Sequence, residues 1–118
     1  MQSNKFRIAI PLGDPAGIGA EVTLQALSSL SISSDVQPLL IGCKASLKII
    51  YSRLKLQGVN CIKNPKDLDI EDLPLNEEPI PGKPSAKTGA ASFNWLTHAT
   101  NLVINGEANA LVTAPISK

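Results

Sequence analysis

Short apolar runs alternate with longer amphipathic stretches along this sequence. The apolar runs have the character of strands buried in a parallel sheet, and they lie at residues 6–12, 36–41, 59–62 and 110–113. Between them, apolar residues recur at helical spacing, which predicts helices at residues 22–30, 45–57 and 85–105. This alternation is typical of a parallel sheet with helices on its faces, so the sequence predicts the α/β class.

Glycine and serine residues mark the expected helix ends. Gly58 and Gly106 follow the second and third helical patterns, where glycine accepts the left-handed backbone that ends many helices. Ser85 stands at the start of the third pattern, and its hydroxyl can accept a hydrogen bond from an amide of the first turn. We therefore expect Ser85 to cap the third helix and Gly106 to stop it.

The third predicted helix has an apolar side that also carries threonine. Its members are Ala90, Phe93, Leu96, Thr97, Thr100, Val103 and Ile104. On this pattern we expect Phe93 and Trp95 to pack in the core and not to stack on a cofactor. His98 has no acid or cysteine near it at ligand spacing, so it is predicted to be a surface or boundary residue.

Residues 63–84 are rich in proline and in acidic side chains. Prolines at this density interrupt both helices and strand pairing, so we expect a surface excursion with at most short extended pieces. The acidic residues could suggest a cation site. That interpretation is disfavoured, because they alternate with apolar residues and do not converge.

Composition excludes several kinds of partner. The chain has 118 residues, 43% of them hydrophobic and 18% charged, with a formal charge of +1, which gives no electrostatic case for nucleic acid or an anionic membrane. The first apolar run is interrupted at Asp14, too soon for a signal peptide or a membrane span. Cys43 and Cys61 have no partners at metal spacing, so we expect reduced thiols and a cytoplasmic protein.

A glycine-rich loop follows the first predicted strand and leads directly into the first helix. Gly13, Gly17 and Gly19 can take positive φ angles and allow a ligand close to the backbone, and a helix N-terminus favours an anion. The spacing matches neither the Walker loop nor the dinucleotide fingerprint. From the residues alone, an anion site and a plain tight connection remain equally supported.

Two further residues near this predicted edge of the sheet could act on a ligand. If the first and fourth strands are neighbours, the glycine loop and residues 113–118 share one crevice. Lys118 could then hold a carboxylate or a phosphate, although it could equally be a solvated lysine. Asp14 could contact a ligand, but an Asx turn within the loop is favoured.

The glycine loop and the last residues together resemble one family. Residues 13–21 read Gly-Asp-Pro-Ala-Gly-Ile-Gly-Ala-Glu after an Ile-Ala-Ile strand, and residues 111–118 read Leu-Val-Thr-Ala-Pro-Ile-Ser-Lys. Residues 81–89 lie where the family has a glycine-bearing segment before a long helix. The whole chain therefore resembles the amino-terminal portion of the 4-hydroxythreonine-4-phosphate dehydrogenases. Ala20 departs from the family's usual proline, which costs some preorganisation of the helix start.

This resemblance implies an NAD- or NADP-dependent dehydrogenase of pyridoxal 5'-phosphate biosynthesis. Such an enzyme oxidises 4-phosphooxy-L-threonine to a 2-amino-3-oxo acid that decarboxylates, with a divalent metal stabilising the forming ketone. The resemblance also implies a homodimer and a fold similar to the isocitrate and isopropylmalate dehydrogenases. The loop positions described above give Gly13, Asp14, Gly17 and Gly19 as the predicted cofactor contacts, and Lys118 as the predicted contact to the phosphorylated substrate.

The family's proteins extend well beyond the length of this chain. Their metal-binding histidines and their Gly-His-Thr substrate segment lie in the part that this sequence lacks, and His98 is the one histidine here. We therefore expect residues 1–118 to be an incomplete α/β domain that is inactive alone. Two alternatives stay open, namely a small anion- or nucleotide-binding module and a structural half that joins a separately encoded remainder.

Overall fold

The sheet is parallel throughout, and its two central strands are the first two apolar runs of the chain. Its strands are β1 (Phe6–Pro11), β2 (Val36–Gly42), β3 (Asp69–Asp72) and β4 (Ala110–Leu111). They are ordered β3-β2-β1-β4. This computed structural model describes residues 5–29 and 33–113. The predicted α/β class is confirmed, as are the strands expected at the first, second and fourth apolar runs.

Helices connect the strands and pack over the sheet. In the described part of the chain they are α1 (Gly19–Ser29), α2 (Lys44–Leu56) and α3 (Ala86–Ile104), with a short 3-10 helix at Pro65–Asp67. α3 packs against β1, β2 and β4, whereas α1 packs against α2. Leu24, Leu40 and Trp95 belong to the buried core. Among the described residues, no helix is both long enough and apolar enough to cross a membrane.

The predicted helix ends are confirmed at three positions. The Ser85 side chain accepts a hydrogen bond from the Thr88 amide at 3.2 Å, and the Thr88 hydroxyl oxygen accepts one from the Ser85 amide at 2.8 Å. This reciprocal capping box satisfies two backbone donors at the start of α3. Gly58 and Gly106 follow α2 and α3 with φ angles of 86° and 79°, which are left-handed values.

The third strand lies later in the chain than the sequence predicts. Residues 59–62 do not form a strand, whereas Asp69–Asp72 forms β3 beside β2. Ile62 is buried in the core from an irregular segment, so its apolar character reflects burial without strand pairing. β3 is hard to recognise because it is an edge strand of the described sheet and carries acidic side chains. It fits into a proline-rich segment because no proline interrupts the chain between Pro65 and Pro74.

The buried side of α3 differs from the predicted one. Trp95 is buried at 3% exposure as expected, but Phe93 is 69% exposed, so the prediction that Phe93 packs in the core is wrong. The side facing the core runs through Thr88, Trp95 and Ala99. α3 has two apolar stripes at helical spacing. The observed one buries the Trp95 indole, which is larger than the Phe93 ring, and the small Ala99 side chain lets the helix lie close to the sheet.

Candidate functional site

The glycine loop and the segment after β4 leave the same edge of the sheet. β4 lies beside β1 in parallel, with Ala9 opposite Leu111, and the Val112 amide donates to the Ala9 carbonyl at 3.0 Å. The first and fourth strands are therefore neighbours, which was the condition set for a shared crevice. Lys118, the predicted substrate contact, falls in residues 114–118, which lie outside the described residues.

The loop turns sharply at its first glycine. Gly13 has a φ of 79°, whereas Gly17 and Gly19 are not among the described glycines with positive φ. Positive φ angles were expected to be possible at all three glycines, and the loop adopts one at Gly13. The chain then enters α1, where the Ile18 carbonyl accepts from the Val22 amide at 2.9 Å. The amides of a first helical turn have no acceptor within the helix, so they are available to an outside group.

Asp14 organises the loop through both of its carboxylate oxygens. Oδ1 accepts a hydrogen bond from the Ala16 amide at 2.8 Å, which confirms the predicted Asx turn. Oδ2 accepts one from the Thr88 hydroxyl at 3.2 Å, and the Asp14 carbonyl accepts one from the Gly17 amide at 2.8 Å. Because these groups already hold the loop together, the carboxylate is engaged within the protein and shapes the backbone around it.

Two distant parts of the chain fasten this loop. Thr88 comes from the first turn of α3, and the Gly82 amide donates to the Ala16 carbonyl at 2.8 Å. Sequence reasoning missed both contacts because they join positions far apart in the chain. The capping pattern of Ser85 and Thr88 was the one local signal that could have drawn attention to Thr88.

A small cavity lies between the loop, α2 and the proline-rich segment. Its volume is about 90 Å³, and Gly17, Ser46, Arg53 and Glu78 are among its lining residues. Pockets for whole organic ligands are several times larger, commonly about 300–1,000 Å³, so this space would hold only a small group. Arg53 supplies positive charge, but the Glu21 carboxylate lies 3.8 Å from its guanidinium and offsets part of it.

The acidic residues of the proline-rich segment bind different neighbours. The contacts join Asp69 to the side chain of Gln37, Glu71 to His98 at 3.0 Å, Asp72 to the Lys44 amide at 2.9 Å, and Glu77 to Lys87 at 2.7 Å. The hydrogen bond and charge of Lys87 lower the pKa of Glu77, and Glu77 raises the pKa of Lys87 in return. These acids therefore serve separate structural contacts along the segment.

His98 is half-buried, as a boundary residue would be, but it has a partner that the sequence did not indicate. Glu71, on β3, faces it from the edge of the described sheet. One histidine and one carboxylate make an ordinary ion pair or hydrogen bond. Within residues 5–29 and 33–113, no group of three or more His, Cys, Asp or Glu side chains could hold a metal ion.

Known proteins match this chain along most of its length. Residues 29–118 match the family model described as pyridoxal phosphate biosynthetic protein PdxA. A 4-hydroxythreonine-4-phosphate dehydrogenase from Synechococcus sp. is 51% identical over 112 residues, covering 95% of this chain and 33% of that protein. A protein of the same name from Thermosynechococcus vestitus is 43% identical, covering 94% of this chain and 32% of that protein.

A solved structure agrees with these sequence matches. A crystal structure of 4-hydroxythreonine-4-phosphate dehydrogenase from Klebsiella pneumoniae superposes with a TM-score of 0.77 at 29% identity, covering 97% of this chain and 38% of that one. The chain spans about a third of the length of the curated relatives it matches. That share fits the amino-terminal portion predicted from the sequence motifs.

Proposed function

Because the chain belongs to the PdxA family of pyridoxal phosphate biosynthetic proteins, we propose that it is part of a 4-hydroxythreonine-4-phosphate dehydrogenase. Such an enzyme transfers a hydride from the alcohol of its substrate to NAD or NADP. The observation that carries the proposal is the family match, and the position of the glycine loop supports it. That loop lies at the carboxyl edge of a parallel sheet, where open α/β sheets bind ligands.

The glycine loop is the proposed contact to the cofactor. Gly13 makes the turn that brings the loop to the helix start, and Gly17 and Gly19 keep the backbone free of side chains there. The amides at the start of α1 would bind a phosphate of the cofactor, helped by the positive end of the helix dipole. Asp14 would hold the loop that precedes these amides, through the hydrogen bond from the Ala16 amide, instead of contacting the cofactor itself.

Lys118 is the proposed contact to the substrate. It follows β4 in the sequence, and β4 neighbours β1, so the segment after β4 starts beside the glycine loop. A lysine there would bind the phosphate or carboxylate of the substrate as a point charge. Cofactor and substrate would then meet at one edge of the sheet.

The divalent metal does not fit the described residues, because they bring no three suitable side chains together. The relatives are considerably longer than this chain, so we propose that the metal ligands belong to the rest of a longer protein. We also propose that this longer protein is cytoplasmic, forms a homodimer and completes a fold similar to isocitrate and isopropylmalate dehydrogenases. Residues 1–118 would then be one incomplete α/β domain, in which the surface excursion predicted at residues 63–84 would exclude β3, since that strand pairs with β2.

A chimera tests the proposed function. We expect an enzyme that joins this chain to the remaining two thirds of the Synechococcus relative to form NADH from 4-hydroxythreonine-4-phosphate, NAD and a divalent metal. The 118-residue chain alone should form none above a blank. NADH absorbance measures both results, with the intact relative as the positive control.

Two outcomes would contradict this proposal in different ways. A chimera that melts cooperatively like the intact relative but has no activity would argue against the proposed dehydrogenase function. Metal-dependent NADH formation by the 118-residue chain alone, abolished by a chelator, would show that the metal ligands do lie in this chain.

A further inference from the structure

We propose that Thr88 is a positioning residue for the glycine loop, acting through the carboxylate of Asp14. It is buried at 8% exposure, and its hydroxyl oxygen lies 3.2 Å from Asp14 Oδ2. The other oxygen, Oδ1, accepts the Ala16 amide. The hydroxyl of α3 therefore fixes the orientation of the side chain that shapes the loop. This inference rests on the proposed function of the loop as an anion site.

The hydrogen bonds around Thr88 determine where its single hydroxyl proton lies. The Thr88 oxygen accepts hydrogen bonds from the Ser85 amide at 2.8 Å and from the Ser85 hydroxyl at 3.5 Å, and two acceptors lie within reach of its proton. One is the Ser85 carbonyl at 3.1 Å, which already accepts from the Gly89 amide. The other is the Asp14 carboxylate, whose charge makes it the stronger acceptor. The proton is therefore donated to Asp14.

Holding Asp14 matters because the loop amides depend on it. If the carboxylate rotates away, the Ala16 amide loses its acceptor, and the bond from the Gly17 amide to the Asp14 carbonyl remains to hold the turn. A loop held in one conformation loses less conformational entropy when an anion binds to its amides. The hydrogen bond from the Gly82 amide to the Ala16 carbonyl is a second anchor, and side-chain changes at Thr88 leave it in place.

Substitutions at Thr88 test the proposal through the loop itself. Thr88→Val removes the hydroxyl but keeps the shape, and Thr88→Ser keeps the hydroxyl. We expect the valine variant to raise the hydrogen exchange rate of the Ala16 amide by about tenfold and to weaken binding of inorganic phosphate and NAD by a similar factor, since the lost hydrogen bond involves a charged group. Thr88→Ser should restore both values.

Two controls separate positioning from loss of helix stability. Thr100→Val makes the same change further along α3, where the hydroxyl donates to the Leu96 carbonyl of the same helix. Ser85→Ala removes the acceptor of the Thr88 amide and a long 3.5 Å contact to the Thr88 hydroxyl oxygen, and it leaves the Thr88 hydroxyl beside Asp14. Neither control should change the exchange of the Ala16 amide, even if Ser85→Ala lowers the melting temperature.

The outcomes distinguish this proposal from the proposed function. Exchange is measured without ligand, so an unchanged Ala16 rate in Thr88→Val, or an equal increase in Ser85→Ala, overturns the positioning role. If the unsubstituted protein binds neither phosphate nor NAD at the loop, that result overturns the cofactor site of the proposed function instead. A faster Ala16 exchange confined to Thr88→Val supports the positioning role in either case.

Discussion

Trp95→Ala is expected to lower the free energy of unfolding by about 3–5 kcal/mol, which is the usual cost of deleting a buried aromatic side chain. The indole is 3% exposed on α3 and belongs to the core. It also lines a small gap beneath the glycine loop together with Leu12, Pro15 and Ala20. A whole domain has a margin of only about 5–15 kcal/mol. Denaturant unfolding followed by circular dichroism should therefore show a variant close to unfolded at room temperature.

Phe93→Ala is the matched control on the same helix. Phe93 is 69% exposed, and surface substitutions away from special features usually change stability by less than about 0.5 kcal/mol. The comparison separates the predicted apolar stripe of α3 from the observed one. Equal losses in the two variants would contradict the buried side assigned to α3 and would show that Phe93 is covered in solution.

Features that depend on neighbouring residues were accessible from the sequence. The strands β1 and β2, the three helices, the cap at Ser85 and the stops at Gly58 and Gly106 all follow from local spacing and backbone preference. The Asx turn at Asp14 is equally local, because its carboxylate reaches an amide two residues ahead. The relative position of the two loops was predicted on the condition that the first and fourth strands are neighbours, and the observed strand order meets that condition.

Features that depend on partners far away in the chain were not accessible. β3 is defined by its pairing with β2, which the sequence does not show. Its acidic residues Asp69 and Glu71 do not resemble a buried strand. The rotation of α3 is decided by what the sheet can accommodate, and either apolar stripe satisfies the helical period. The contact between Asp14 and Thr88 joins two elements whose packing no local pattern specifies. Each feature that the sequence did not predict therefore depends on tertiary contacts, and not on the intrinsic secondary-structure preference of its residues.

The glycines of the loop were also predictable only in part. Their spacing indicates a tight connection, but the sequence could not say which of them needs the left-handed conformation. The structure assigns it to Gly13, with a φ of 79°, immediately after the buried residue Leu12. That position is set by the hydrogen bond from the Leu12 amide to the Ile41 carbonyl at 3.0 Å, which extends the pairing with β2 and leaves the turn to the next residue.

Gly13→Val is expected to weaken binding of phosphate and NAD at the loop. A β-branched residue resists a φ of 79°, and forcing it there costs on the order of 1–3 kcal/mol. Gly13 is also buried, so the added side chain has to fit among neighbouring atoms. The turn would relax by moving the amides that follow it. Titration with phosphate and with NAD, followed by the amide chemical shifts of residues 13–21, should show affinity weakened by roughly tenfold or more.

Gly106→Val is the control for backbone strain alone. Gly106 has the same φ of 79°, and a side chain built there meets nothing within 4 Å. It follows α3 and precedes β4, so it lies at the amino edge of the parallel sheet, opposite the glycine loop. Gly106→Val should therefore lose a similar 1–3 kcal/mol of stability, about the same strain as at Gly13, and keep unaltered binding. Equal loss of binding in both variants would attribute the effect at Gly13 to general destabilisation, and intact binding in Gly13→Val would show that the turn does not shape an anion site.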